Sequence, residues 1–331
     1  MENLEFITVT LNPAIDQTIF VEDLTPGAVH RAKDSHRQAG GKGINVATML
    51  SLYGKSVAVT GFLGASNPSI FSKHFKEYGL RDEFIRVGGE TRTGIKIVDT
   101  NSSETTDINL LGPSPLETQQ RDLVDRIQKI AKPGMWVVLA GSLPKNVKPE
   151  YMRTLIKAVH SAGSLVAVDS SGEALATAID AGADLVKPNV DELSEYLGED
   201  LTEFSSAVAA AKNLHREKIP NLVVSLGGQG ALFLTPDAEL MAGAPKVKVI
   251  STVGAGDSML AGVLAGISQK SSPADCARLA TVFAWSRLQM LQPYLPGKDV
   301  IQRQMAQIPI QPLNRSVRST SVQRISDPNR N

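Results

Sequence analysis

Short runs of Val, Leu and Ile alternate with helical periods over most of the chain. Apolar runs at residues 6–11, 57–62, 136–140, 165–169, 184–187, 222–226 and 231–235 predict strands. They lack strict polar alternation, the pattern of strands covered on both faces. Between them, Val46, Met49, Leu50 and Tyr53 fall at i, i+3, i+4 and i+7, with Gly54 as a stop. Met152, Leu155, Ile156 and Val159 repeat the pattern before Gly163, as do Phe204, Ala207, Val208 and Ala211, and then Leu260, Val263, Leu264 and Ile267. Strand, helix, strand, helix implies an α/β fold, a mainly parallel central sheet with helices on both faces.

Two stretches break this rhythm. Residues 17–35 and 91–110 contain half-polar strands such as Thr93-Gly94-Ile95-Lys96-Ile97-Val98. Strands of that kind suit a sheet with one solvated face, and the two insertions predict a small β-sheet lid over a site. Residues 311–331 carry Arg315, Arg318, Arg324 and Arg330 with no aromatic residue, which predicts a disordered tail. One domain is therefore expected over residues 1–310.

Composition narrows the function. The 331 residues are 42% hydrophobic and 21% charged, enough for a sizeable core. Lys plus Arg and Asp plus Glu are both 34, so no global field favours nucleic acid or an anionic membrane. An anionic ligand must be held by local charges. The lone Cys276 excludes an internal disulfide and a cysteine zinc cluster. An acidic start and the absence of a long apolar run lead us to expect a cytoplasmic protein.

The sharpest chemical signal is Ser251-Thr252-Val253-Gly254-Ala255-Gly256-Asp257-Ser258, just before a helical period. Glycines let successive N–H groups point at one spot, and a helix N-terminus adds partial positive charge there. That suits phosphate oxygens, and the Asp257 carboxylate beside them can take a proton from an attacking hydroxyl. The competing reading is a helix cap. At such a terminus the dipole alone would keep Asp257 a weak base.

Gly40-Gly41-Lys42-Gly43-Ile44-Asn45 forms a second glycine loop leading into a helix, with a charge and an amide to offer a ligand. It is not a P-loop, because G-x-x-x-x-G-K-[ST] occurs nowhere in the chain. Lys187-Pro188-Asn189-Val190-Asp191-Glu192 follows a buried strand, at the edge where parallel sheets gather ligands. Asn189 and Glu192 share one face there and suit magnesium held through water, or else simply begin a helix. Asp16 could hold sugar hydroxyls, and Arg92 and Lys96 an anionic group. The five histidines lack metal-ligand spacing and no G-x-S-x-G elbow exists. A dinucleotide fingerprint fails at its third glycine, where Met259 stands.

Taken together, Thr10-Leu11-Asn12-Pro13-Ala14-Ile15-Asp16, the Ala39–Ala47 loop, Gly61-Phe62-Leu63-Gly64, Gly141-Ser142-Leu143-Pro144, Lys187-Pro188-Asn189, Val224-Ser225-Leu226-Gly227 and the segment 251–258 occur in one order over residues 6–290. In this the chain resembles the PfkB branch of the ribokinase superfamily. The resemblance implies a ribokinase-like fold with a β lid, MgATP as donor and a ketohexose phosphate as acceptor. Fructose 1-phosphate is the favoured acceptor, with tagatose 6-phosphate and fructose 6-phosphate as alternatives. A sugar-phosphate sensor without catalysis is the rival from another class. By the same resemblance, Asp257 is the catalytic base, and Gly254, Ala255 and Gly256 form its anion hole. Lys187, Asn189, Ser225, Gly227, Gly228, Gly230, Thr252 and Val253 flank the nucleotide, with Glu192 completing the magnesium motif. Asp16, Gly40, Gly41, Lys42, Asn45, Arg92 and Lys96 hold the phosphorylated sugar, and a homodimer through the lid is implied. Two departures stand out. Gly94 replaces an Asn of the lid strand, and Phe283, Trp285 and Arg287 replace small residues expected beside the adenine.

Overall fold

The computed structural model describes residues 4–102 and 104–313. Among them, eleven strands form the central sheet. Edge to edge run Ile310–Pro312, Ala238–Gly243, Gly230–Thr235, Asn221–Ser225, Leu185–Val186, Leu165–Asp169, Trp136–Ala140, Phe6–Thr10, Val57–Gly64 and Arg81–Asp82, and Ile85–Val87 pairs further along Val57–Gly64. From Asn221–Ser225 to Arg81–Asp82 every pairing is parallel, whereas the first three strands are antiparallel. Ile310–Pro312 pairs with Ala238–Gly243, so regular structure passes the expected boundary at 310. The expected tail from residue 314 onward lies outside the described residues.

The unbroken apolar runs have a direct cause. Successive side chains of a strand point to opposite faces, and both faces are covered here. Ile7, Val9, Val137 and Leu139 enter one core with Leu123, Leu155 and Leu175. Phe6, Trp136, Val138 and Ala167 enter the other with Ile44, Leu264 and Phe283.

The parallel strands end in register. Thr10 lies opposite Ala140, and Ala140 opposite Asp169. Lys187 follows directly, its N–H bonded to Val168 O. The carboxyl edge thus lines up the ends of segments far apart in sequence. Above it stands a separate four-stranded sheet, with Ala14–Val21 between Asp34–Gly40 and Arg92–Asp99, and Thr105–Asn109 outermost. Both expected insertions contribute to it; the strands of the first begin before residue 17 and end after 35, whereas those of the second fall within 91–110. Asp34–Gly40 runs into the helix Lys42–Leu52 with only Gly41 between.

Close packing at Thr10 fixes the junction. Gly61 has φ 128°, and a Cβ there would stand 1.9 Å from Thr10 O. No L side chain fits that backbone or that space. We expect Gly61→Ala to cost about 3 kcal/mol or more through strain and overpacking, read as a lower urea midpoint. An unchanged midpoint would show that the two strands can separate freely at this point.

Candidate active site

A cleft of about 560 Å³ lies where the carboxyl edge meets the small sheet. The two glycine loops meet there. The helix Ala255–Ser268 starts at Gly254, whose φ of 78° gives the turn its left-handed bend. The Ala255 N–H bonds back to Thr252 O at 3.3 Å. The Gly256 and Asp257 amides follow in the first turn, where helix-start donors have no intrahelical partner. Of the expected anion hole, Gly254 and Gly256 line the cleft.

Asp257 is only 6% exposed yet lines the cleft. Asn45 Nδ2 donates to its Oδ2 at 2.7 Å, joining positions 212 residues apart. Burial, and then the nearby Asp169 charge, push the Asp257 carboxyl up to about 6, against the pull of Lys42, Asn45 and Lys187. The dipole read from the sequence points to a lowered carboxyl, whereas burial raises it. A base poised near 6 is better matched to neutral pH than one near 4.

Asp169, at the end of Leu165–Asp169, is 1% exposed and holds two lysines. Lys42 Nζ donates to its Oδ1 at 2.7 Å, and Lys187 Nζ stands 2.9 Å from its Oδ2. Burial would raise the Asp169 pKa, but the two ammonium groups hold it below the ordinary value. Burial would lower the Lys42 pKa, yet the carboxylates of Asp169 and Glu192 raise it overall. The Lys187 amine also lies beside the anion hole, 3.1 Å from where a Cβ on Gly256 would stand. The sequence grouped Lys42 with Arg92 and Lys96, whereas the structure pairs it with Lys187.

Asn189 and Glu192 form a capping box at the start of Val190–Leu197. Asn189 Oδ1 accepts from Glu192 N at 2.7 Å, and Glu192 Oε2 accepts from Asn189 N at 2.9 Å. Both also line the cleft, so the helix start is itself part of its wall. Glu192 Oε1 lies 3.7 Å from Lys42 Nζ.

On the lid side, Asp16 pairs in register with Gly94, and burial raises its carboxyl to about 6 against the pull of Arg92 and Lys96. Gly40 does not line the cleft, but it makes room for Asp16, whose Oδ2 would lie 2.1 Å from a Cβ there. Arg92 lines the cleft, and its Nε is buried without a partner among the described residues. Lys96 does not line it, being paired with Asp107 at 2.8 Å across the small sheet. Asn109 Oδ1 comes within 3.4 Å of the space left by Gly94 and accepts from Arg92 Nη1 at 3.3 Å.

Gly41, Ser225, Val253 and Gly256 line the cleft as expected. Gly227, Gly228, Gly230, Thr252 and Ala255 do not; Gly227–Gln229 form a 3-10 turn just past Ser225. Sequence reasoning assigned no role to Thr10, Asn12, Gly141, Ser142 or Asp169, which also line it. A lone Asp closing a predicted strand was the available signal for Asp169. Of the unusual residues near the expected adenine seat, Phe283 is turned into the core, edge-on to Tyr53 at 5.2 Å.

A family model for pfkB family carbohydrate kinases matches residues 9–292. The chain is 42% identical over 292 residues to a 1-phosphofructokinase of Xanthomonas campestris, covering 87% of this chain and 92% of that one. It is 40% identical over 301 residues to a 1-phosphofructokinase of Rhodobacter capsulatus, covering 89% and 94%. Its fold is similar to the tetrameric inhibited form of phosphofructokinase-2 from Escherichia coli, with TM-score 0.84, 29% identity, and 92% and 99% of the two chains covered.

The raised Asp257 pKa carries a sign. The folded protein keeps a proton that the unfolded chain releases near 3.8, so this stabilising contribution is full below that pH and is lost as pH rises through about 6. At pH 7.5 Asp257→Asn should therefore melt about 2 °C or more above the parent in differential scanning fluorimetry. A lower melting temperature would show that the charged carboxylate is net stabilising.

Proposed function

The chain belongs to the pfkB family of carbohydrate kinases, and on that premise we propose that it transfers the γ-phosphoryl group of ATP to the 6-hydroxyl of D-fructose 1-phosphate, giving fructose 1,6-bisphosphate and ADP. The observation that carries the reading is the junction of the two glycine loops, where Asn45 orients the Asp257 carboxylate beside a helix start and two lysines. Phosphoryl transfer needs alignment and charge neutralisation more than covalent help. Asp257 accepts the hydroxyl proton as the oxygen attacks. The Gly256 and Asp257 amides and Lys187 face the charge on the migrating group. Lys42 and Lys187 leave Asp169 in part as phosphate oxygens arrive, so no ammonium is buried unpaired at any stage.

The sugar takes the lid side. Asp16 accepts hydrogen bonds from hydroxyls, and the unpartnered Arg92 Nε suits the existing phosphate. The adenine takes the rim formed by the loops at 245–252 and 289–294. There Val249, Ile250, Met290, Leu291 and Tyr294 leave large apolar surface exposed, and Ile250 N–H bonds to Leu288 O.

Among the described residues no group of three His, Cys, Asp or Glu could hold a metal ion, so a cage built from those side chains does not fit. One carboxylate and one amide at the cleft fit magnesium carried in with the nucleotide and held mainly through water. Bound there, the ion would neutralise phosphate charge; Glu192 and Asn189 would orient it. Two copies pair through the small sheet, a reading supported by the wholly exposed Thr105–Asn109 strand and by Ile108, Leu110 and Leu111 beside it. No described helix is long and apolar enough to cross a membrane.

A coupled ADP-release assay with magnesium should give the highest kcat/KM with fructose 1-phosphate, ahead of fructose 6-phosphate and tagatose 6-phosphate. Tight sugar-phosphate binding without ADP release would favour a sensor instead. Asp257→Ala should lower kcat by about 10²-fold or more with the fold retained by circular dichroism. Arg92→Ala should act on the KM for the sugar, by about 10-fold, more than on kcat. Near-parental turnover of the first variant would remove Asp257 from its role.

A further inference from the structure

Arg287 is the one unusual residue of the helix Pro273–Leu288 that reaches toward the transfer centre. It stands in the last helical turn and is 5% exposed, with its Nη1 donating to Met290 O. No carboxylate among the described residues lies within ion-pair distance of it. Such a buried guanidinium is costly unless its charge is used. Arg287 Nε, Asn45 Nδ2 and Asp257 Oδ2 all lie within 4 Å of one point, the place where a side chain on Gly254 would begin, with Arg287 Nε nearest at 3.2 Å. The guanidinium therefore packs against the glycine that opens the turn.

The surrounding charges show what it faces. Arg287 feels the carboxylates of Asp257 and Asp16 and the phenol of Tyr78, while burial lowers its own pKa. Asp257 in turn is faced by Asn45 and Lys42 from the helix Lys42–Leu52, by Asp169 and Lys187 from the sheet edge, and by Arg287 from the helix Pro273–Leu288. Asp16 is the acid placed at the sugar and Asp257 the acid placed at the hydroxyl. Both are held below the pKa that burial alone would give them by cations, Arg92 and Lys96 first for Asp16 and Lys42 first for Asp257.

We propose that Arg287 is a further positioning residue of the transfer site: packed against the Gly254 turn, its guanidinium steadies the loop that presents the Gly256 and Asp257 amides and balances the charges of Asp257 and Asp16. It touches neither donor nor acceptor and acts through Gly254 and Asp257. A guanidinium suits this place because it stays charged where a buried ammonium readily loses its proton. Its bond to Met290 O also ties the end of the helix to the loop that follows, beside the Leu288 carbonyl that holds Ile250 and Ser251. Support and charge are thus one side chain.

The inference rests on the kinase reading for its kinetic arm alone. Titration of the Asp257 carboxyl carbon, followed by ¹³C NMR and assigned by its loss in Asp257→Asn, needs no turnover. Arg287→Gln should raise that midpoint by about 0.5 pH unit or more, since a nearby positive charge is gone. Arg287→Lys should lie nearer the parent. With fructose 1-phosphate and ATP, Arg287→Gln should lower kcat about 10-fold while KM for the sugar changes less than about 3-fold, and the acid limb of kcat should move with the NMR midpoint. If Arg287→Gln only lowers the melting temperature and leaves both midpoint and kcat in place, the residue is structural and the inference fails. If the parent itself shows no turnover while the midpoint still shifts, the substrate assignment falls and the placement of Arg287 stands.

Discussion

The centre depends on one carboxylate held between two ammonium groups. Asp169 is almost fully buried at the end of a central strand, with Lys42 on one oxygen and Lys187 on the other. A buried carboxylate alone would be strongly disfavoured, and so would either lysine without a counter-charge. Together they form a compact cluster whose positive ends face the cleft. Because Lys42 opens the helix Lys42–Leu52 and Lys187 follows Leu185–Val186, this cluster ties an N-terminal loop to the middle of the sheet. Its negative charge is also felt at Asp257. Charge placement at the sheet edge thus shapes both the positive lining of the cleft and the titration of Asp257.

Much of the fold was legible because the sheet is buried on both faces. Runs such as Trp136–Ala140 cannot alternate when each face meets its own core, and unbroken Val and Leu announce that condition. What stayed hidden was periodicity diluted by charge. The helix Glu117–Ile130 buries Leu123, Ile127 and Ile130 on one thin stripe in an otherwise polar segment. Ile310–Pro312 is an edge strand and Ala238–Gly243 its neighbour with mixed burial, where pairing rather than composition decides the conformation.

The site was legible in its loops and obscure in its charges. Glycines next to Asp257 and Lys42 mark close backbone approach, and that signal survives in one sequence. The partner of a charge does not. Nothing local to Lys96 announces that it pairs with Asp107, a meeting made by strand register, nor to Lys42 that it pairs with Asp169, a meeting of a helix start with a strand end. The strength of Asp257 as a base was misjudged for a related reason. A helix dipole can be read from position in the chain, whereas desolvation is a property of the assembled surroundings.

The link between Asn45 and Asp257 has a consequence for synthesis. Its two ends are separated by most of the chain, so this contact closes a very long loop. A nascent polypeptide released early carries the N-terminal lysine turn and the arginine of the small sheet, but lacks the late glycine turn and the carboxylate at 257. The cleft is whole only when the late turn has docked against the early one.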